Sequence, residues 1–148
     1  MEKIYFEDFE LGHKWSSVGR TITETDIVQF AGISGDYNPL HMDQEFAKEG
    51  MFGERIAHGL LGLAIASGIG DGEKPAAVMA FMSVDWKFKA PVLIGDTLHC
   101  ESEILKKRAA SSGDRGIVVI EKKMINQKNQ VTQEGTFTLL IKNRKSEA

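Results

Sequence analysis

Two hydrophobic periods divide this chain. From Val78 to Lys89 the residues alternate, with Val78, Ala80, Met82, Val84, Trp86 and Phe88 on one face and Met79, Phe81, Ser83, Asp85, Lys87 and Lys89 on the other, the period of a β-strand. The first face is free to lie on a helix; the second begins apolar and ends charged, which predicts that its first half meets a partner. Strands are also predicted over Lys14 to Ile22, Asp96 to Lys107, Gly116 to Ile125 and Val131 to Lys142, with turns at Asp71–Pro75, Ser111–Asp114 and Lys128–Asn129. Successive strands with short turns predict an antiparallel meander.

Helical spacing appears between these strands. Ile27, Phe30 and Ala31 fall at i, i+3 and i+4, which predicts a helix from about Glu24 to Gly32, capped by Thr23 with Glu24 and Asp26 in the first turn. Asp43 is placed to cap a short helix, Gln44 to Lys48, that Gly50 ends. After a loop over Met51 to Ala57, His58-Gly59 opens a helix running to about Gly70. It is apolar nearly all round, so it is expected to be enclosed by sheet. One long buried helix and a five-stranded antiparallel sheet wrapped around it make an α+β domain.

Composition narrows the function classes. A chain of 148 residues, 42% hydrophobic and 26% charged, is expected to form one domain over 1–148 with a core that needs no disulfide or metal. The net charge of −3 argues against a nucleic-acid surface, and the basic clusters Lys106–Arg108 and Lys142–Lys145 are read as solvated strand ends. The apolar run Gly59–Gly70 is too short to span a bilayer. Glu2, Glu7, Asp8 and Glu10 interrupt any secretory leader, and a cytoplasmic location is expected. Cys100 is the one cysteine and is read as a small buried hydrophobe. The tail after Arg144 is expected to fray.

The chemistry concentrates in Gly35-Asp36-Tyr37-Asn38-Pro39-Leu40-His41. Gly35 and Asn38-Pro39 are turn chemistry, so a carboxylate and an imidazole sit together on a constrained loop. Such a pair can hold one water or one substrate proton. An Asp before Asn-Pro also forms an ordinary Asx turn, and a loop His is commonly just solvated; the residues alone leave both readings open.

This stretch, preceded by Phe30-Ala31-Gly32-Ile33-Ser34 and followed by Ile56-Ala57-His58-Gly59-Leu60-Leu61, resembles the signature of the (R)-specific enoyl-CoA hydratases, the MaoC-like dehydratases. Ser67, nine residues after His58, and Phe88–Val92 with Gly95-Asp96 extend the likeness from about Thr23 to the last strand. The resemblance implies the hotdog fold and hydration of trans-2-enoyl-CoA to (3R)-hydroxyacyl-CoA, or the reverse dehydration. It implies Asp36 and His41 as the catalytic dyad, the Gly59 N–H as oxyanion donor and Ser67 as a hydrogen-bonding neighbour. It also implies an acyl-CoA thioester partner and a homodimer paired sheet to sheet, with the acyl-CoA tunnel at the interface; the apolar half-face at Met79 and Phe81 is compatible with that pairing.

Each supporting residue has a plainer reading beside that one. Gly59 is equally a packing glycine where helix meets loop. Asn38 orients Asp36 or simply builds the turn, and Ser67 back-bonds to its own helix as readily as it reaches the dyad. His58 is read as structural, satisfying a loop carbonyl, while His13 and His99 are read as candidates for exposed strand positions. Asp36, His41, Asp43 and His58 lack the usual metal-ligand spacings, so no metal is expected. Hydration is redox-neutral and calls for no cofactor. Lys87, Lys89 and Arg55 are candidate partners for a nucleotide phosphate. A hotdog thioesterase and a non-catalytic acyl-CoA-binding domain are the competing functions; the absence of an ionisable residue from Leu60 to Ile69 disfavours the thioesterase.

Overall fold

The computed structural model describes residues 2–70 and 74–145. A 3-10 turn at Phe6–Asp8 precedes strands β1 (Lys14–Ser16) and β2 (Arg20–Thr21). Helices α1 (Glu24–Ser34), α2 (Pro39–Met42), α3 (Gln44–Lys48) and α4 (Gly59–Gly68) follow, then strands β3 (Val78–Phe88), β4 (Thr97–Ala109), β5 (Arg115–Ile125) and β6 (Val131–Lys142). The expected turn at Asp71–Pro75 lies partly outside the described residues, and so does most of the tail after Arg144.

The sheet has six strands in the order β1-β4-β5-β6-β3, with β2 also paired to β4, and all its strand pairs are antiparallel. Two expectations need correction here. The predicted first strand, Lys14 to Ile22, is divided into β1 and β2 by a bulge: between the pairs Ser16 with Glu101 and Arg20 with Leu98, four steps on one side face three on the other. Ser17 fills the gap, donating its N–H to the Cys100 carbonyl and accepting the Cys100 N–H on its hydroxyl, both at 2.8 Å. The meander also fails at its first link, because β3 pairs with β6 and not with β4. The segment between β3 and β4 is too long for a tight hairpin. It spends its backbone bonds elsewhere, with Lys89 and Ala90 donating to Thr132 and the Val92 carbonyl accepting from Ala57.

A third correction concerns the alternation in β3. Phe81 and Trp86 both pack on Phe137, with ring centroids 5.0 and 5.6 Å away, although strict alternation puts them on opposite faces. The register shift between Phe81 and Ser83 supplies the missing step. Opposite Trp86, Gly135 leaves room for the bent strand, since a Cβ there would run into the Asp85 carbonyl.

Helix α4 lies against the sheet through Leu61, Ile65 and Ala66, which share a core with Ile22, Ile27, Leu98, Met124 and Phe137. Cys100 is in this core, 2% exposed, as its place on the inward face of the strand predicts. A second cluster, Phe6 with Ile104, Val118, Ile120 and Ile141, continues along the sheet beneath the N-terminal lead-in. This is the α+β hotdog arrangement. Its helix is not enclosed all round, however: Leu60, Ala64, Ser67 and Gly68 stay open. Strand β3 is the sheet's edge and leaves Met79, Phe81, Met82 and Val84 exposed. A sheet covers one side of a helix, so the other side of an all-apolar helix needs something further.

Candidate active site

The site begins at the end of α1. Thr23 and Asp26 form a capping box at its start, and Gly35 ends it in the left-handed region at φ 77°, a conformation that suits glycine. The chain then turns sharply into Asp36. Ser34 Oγ accepts the Asp36 N–H at 3.1 Å, and Asp36 Oδ1 accepts the Asn38 N–H at 3.1 Å. Asn38 Oδ1 in turn caps the short helix α2 by accepting the Leu40 N–H at 3.0 Å. The Asx turn is therefore real, and it leaves the second carboxylate oxygen free. His41 stands on a helical turn instead of the irregular loop expected, because Pro39 at the first helical position favours one.

His41 is buried, and its Nδ1 lies 2.8 Å from the Ile56 carbonyl. A carbonyl only accepts, so Nδ1 carries the proton and Nε2 holds the lone pair of the neutral ring. That Nε2 faces Asp36 Oδ2 across 3.8 Å. The gap is too wide for a direct hydrogen bond, and wide enough for both atoms to reach one oxygen placed between them. The carboxylate is half-exposed while the imidazole is only 10% exposed, so one member of the pair meets solvent and the other is held by protein.

His58 closes the arrangement from behind. Its Nε2 donates to the Asp36 carbonyl at 2.9 Å, the loop carbonyl expected of it. Its ring stacks on His41 at a centroid distance of 3.9 Å and 27° between planes. It is also the N-cap residue of α4. Gly59, first in that helix, has no intrahelical acceptor for its N–H, which lies at the positive end of the helix dipole. A Cβ on Gly59 would approach the Phe88 ring to 2.9 Å, which supports the packing reading of this glycine. A cavity of about 260 Å³ opens beside it, lined by Phe52, Ile56, Ala57, Gly59, Phe88 and Gln133.

Ligand-capable atoms of Asp36, His41 and His58 lie within 4.8 Å of one another, yet the arrangement suits a metal poorly. The two stacked imidazoles keep their in-plane lone pairs in separate planes only 27° apart, and His58 Nε2 is already committed to a carbonyl. Asp43 caps α3 instead, accepting the Phe46 N–H at 3.0 Å. Ser67 donates to the Ala64 carbonyl of its own helix at 2.6 Å and makes no hydrogen bond to Asp36 or His41. Of the proposed phosphate partners, Arg55 is held by both carboxylate oxygens of Glu24, and Lys89 by Glu134 at 2.9 Å. His99 lies 3.4 Å from Glu101, and His13 stacks on Trp15.

Further contacts hold this arrangement. The Ile56 carbonyl sets the His41 tautomer. Buried Gln133 donates to the Gly59 carbonyl at 3.1 Å and accepts from the Trp86 indole at 2.9 Å. The only hint of Gln133 in the sequence is a polar residue at an inward strand position.

A sheet folded on a helix in this way defines a hotdog protein, and the mouth of its helix gathers a carboxylate, an imidazole and a free amide. The chain belongs to the family described as MaoC like domain, whose model matches residues 8–129 and so takes in Asp36, His41 and Gly59. It is 42% identical over 94 residues to an (R)-specific enoyl-CoA hydratase of Rhodospirillum rubrum, covering 64% of this chain and 65% of that protein. It thus spans just under two thirds of that relative's length. Among solved structures, it is similar to a monoamine oxidase regulatory protein from Archaeoglobus fulgius, with a TM-score of 0.89, 36% identity and 97% of each chain covered. A MaoC-like dehydratase from Rhodospirillum rubrum matches with a TM-score of 0.86 and 27% identity, over 97% of this chain and 99% of that one.

Proposed function

We propose that this protein adds water to trans-2-enoyl-CoA to form (3R)-hydroxyacyl-CoA, and runs the reverse dehydration, with Asp36 and His41 as the reacting pair. The observation that carries this reading is the 3.8 Å approach of His41 Nε2 to Asp36 Oδ2 at the mouth of α4. A water held by both atoms loses a proton to His41 Nε2 as its oxygen bonds to the β-carbon. The C=C electron pair moves toward the thioester, and the Gly59 N–H receives the negative charge that develops on its oxygen. As the enolate collapses, the proton returns from the dyad to the α-carbon, so the protein ends as it began.

The hydratase name of the 42%-identical relative supports this substrate class. No ionisable side chain occurs from Leu60 to Ile69 to serve the thioesterase alternative. The experiment is an assay on crotonyl-CoA. Hydration bleaches the enoyl absorbance with no free thiol released and yields the 3R alcohol, whereas thiol release would turn the assignment to a thioesterase. Binding without turnover, unaffected by Asp36→Asn, would leave a non-catalytic acyl-CoA-binding domain.

The same reading includes a homodimer. Strand β3 presents an unpaired edge with exposed Met79, Phe81, Met82 and Val84, and an apolar edge of this kind pairs with another chain unless it is blocked.

A further inference from the structure

We infer that His58 is the positioning residue of this site, the side chain through which the carboxylate, the imidazole and the helix-mouth amide share one geometry; the inference rests on the reading of Asp36 and His41 as the reacting pair. Three groups of contacts converge on it: a side-chain hydrogen bond, ring packing and a backbone bond. Its Nε2 holds the Asp36 carbonyl at 2.9 Å, across 22 positions of sequence. One face of its ring lies on His41 at 3.9 Å, and Phe30 packs against the ring with its centroid 5.0 Å away. Its own carbonyl accepts the Leu61 N–H at 3.0 Å, starting α4, and its peptide bond carries the Gly59 N–H.

The fourth observation explains why a histidine stands here. His58 is 2% exposed, and its Nδ1 is buried with no hydrogen-bond partner. A buried ring nitrogen without a partner is a cost that phenylalanine would not carry, so filling space against His41 does not account for this residue. What phenylalanine cannot supply is the Nε2–H on the Asp36 carbonyl. That bond fixes the backbone from which the carboxylate projects, while the ring fixes the plane of the imidazole opposite. The relative placement of Oδ2 and Nε2 therefore runs through this side chain, in addition to the bonds that hold Asp36 and His41 individually.

Two variants separate the contributions. His58→Phe keeps the stacked ring and removes the donor; His58→Gln places an amide N–H near the position of Nε2 and removes the ring. Both are measured for kcat and KM on crotonyl-CoA and for thermal midpoint, beside Asp36→Asn and His41→Ala. A misplacement on the order of 1 Å costs about 100-fold, so His58→Phe is expected to lose about 30- to 100-fold in kcat, with KM within about threefold and a near-native melting point. His58→Gln is expected to recover most of that loss. The inference is overturned if His58→Phe turns over like the wild type, or if His58→Gln is no faster than His58→Phe. If Asp36→Asn and His41→Ala abolish turnover while His58→Phe does not, only the role of His58 falls. If the dyad variants keep full activity, or the wild type hydrates no enoyl-CoA, the reading of the dyad falls and this one with it.

Discussion

The indole of Trp86 donates to the side-chain carbonyl of Gln133 at 2.9 Å, and the same amide donates to the Gly59 carbonyl at 3.1 Å. A strand at the sheet's edge is thereby tied to the first residue of α4 through one buried side chain. Gln133→Leu removes both bonds and leaves the Trp86 indole N–H without its acceptor, while the Gly59 carbonyl keeps its place in the helix. A lost partner of this kind costs about 1–3 kcal/mol, so the urea midpoint is expected to fall. Gly62→Ala acts on the same amide, because a Cβ there would overlap the Gln133 side chain. It is expected to destabilise by about 1–3 kcal/mol in the wild type and by distinctly less in a Gln133→Ala background. Strictly additive effects would show that the two sites are independent.

The Asp36–His41 pair predicts selective loss of activity. Asp36 is half-exposed, so Asp36→Asn is expected to cut kcat by about 10²–10⁴-fold with a melting temperature close to the wild type. His41→Ala should lose activity to a similar extent and also some stability, because the Ile56 carbonyl loses its donor. Stopped-flow or steady-state hydration assays read the first effect, and calorimetry the second. A wild-type rate in either variant would remove the pair from the reaction.

Asp26 predicts an acid limb in stability. Burial pushes its carboxyl up, but the Thr23 N–H, the Arg20 guanidinium and the Thr23 hydroxyl together outweigh that and hold it below its ordinary 3.8. A carboxylate depressed in the folded state stabilises fully above its unfolded value, and the contribution fades as pH drops from about 4 toward the lower folded value. Asp26→Asn is expected to cost about 1 kcal/mol near neutrality, the usual worth of a cap. Its urea midpoint should also fall less steeply than the wild type below about pH 4. Parallel pH curves would show that Asp26 does not contribute to the acid limb.

The open edge of β3 predicts an assembly that charge disrupts. Met79→Lys places an ammonium on an exposed apolar strand, and light scattering at micromolar concentration is expected to show the mass halved relative to the wild type. The thermal midpoint should become less dependent on protein concentration, as mass action requires for a lost partner. A wild-type chain that already scatters as a monomer would end the dimer reading.

Several elements were legible without coordinates because their signals are local. Thr23 and Asp26 announce α1 by a side chain bonding its own backbone three residues on, and the observed helix starts where they place it. Asp43 does the same for α3. The strands were legible from their period, and inward-facing Cys100 with them. The dyad's loop was visible as turn chemistry around Asp36. The helical turn that carries His41 was not expected, because Pro39 is compatible with a loop or with a first helical position.

The pairing of β3 with β6, the bulge that brings Phe81 and Trp86 to one face, and the Gln133 link to Gly59 were not legible. Each depends on residues far apart in sequence, 47 positions for Trp86 and Gln133, whose encounter is set by how the whole sheet closes. Local signals settle which residues carry charge and proton chemistry, where α1, α3 and α4 begin and which stretches run as strands, since propensity, capping and turn chemistry act over a few residues. Tertiary structure decided which strand became the edge, which lone pair of His41 faces the carboxylate, and that His58 reaches back to Asp36. Those outcomes are distances between separate elements, and packing, not local preference, sets such distances.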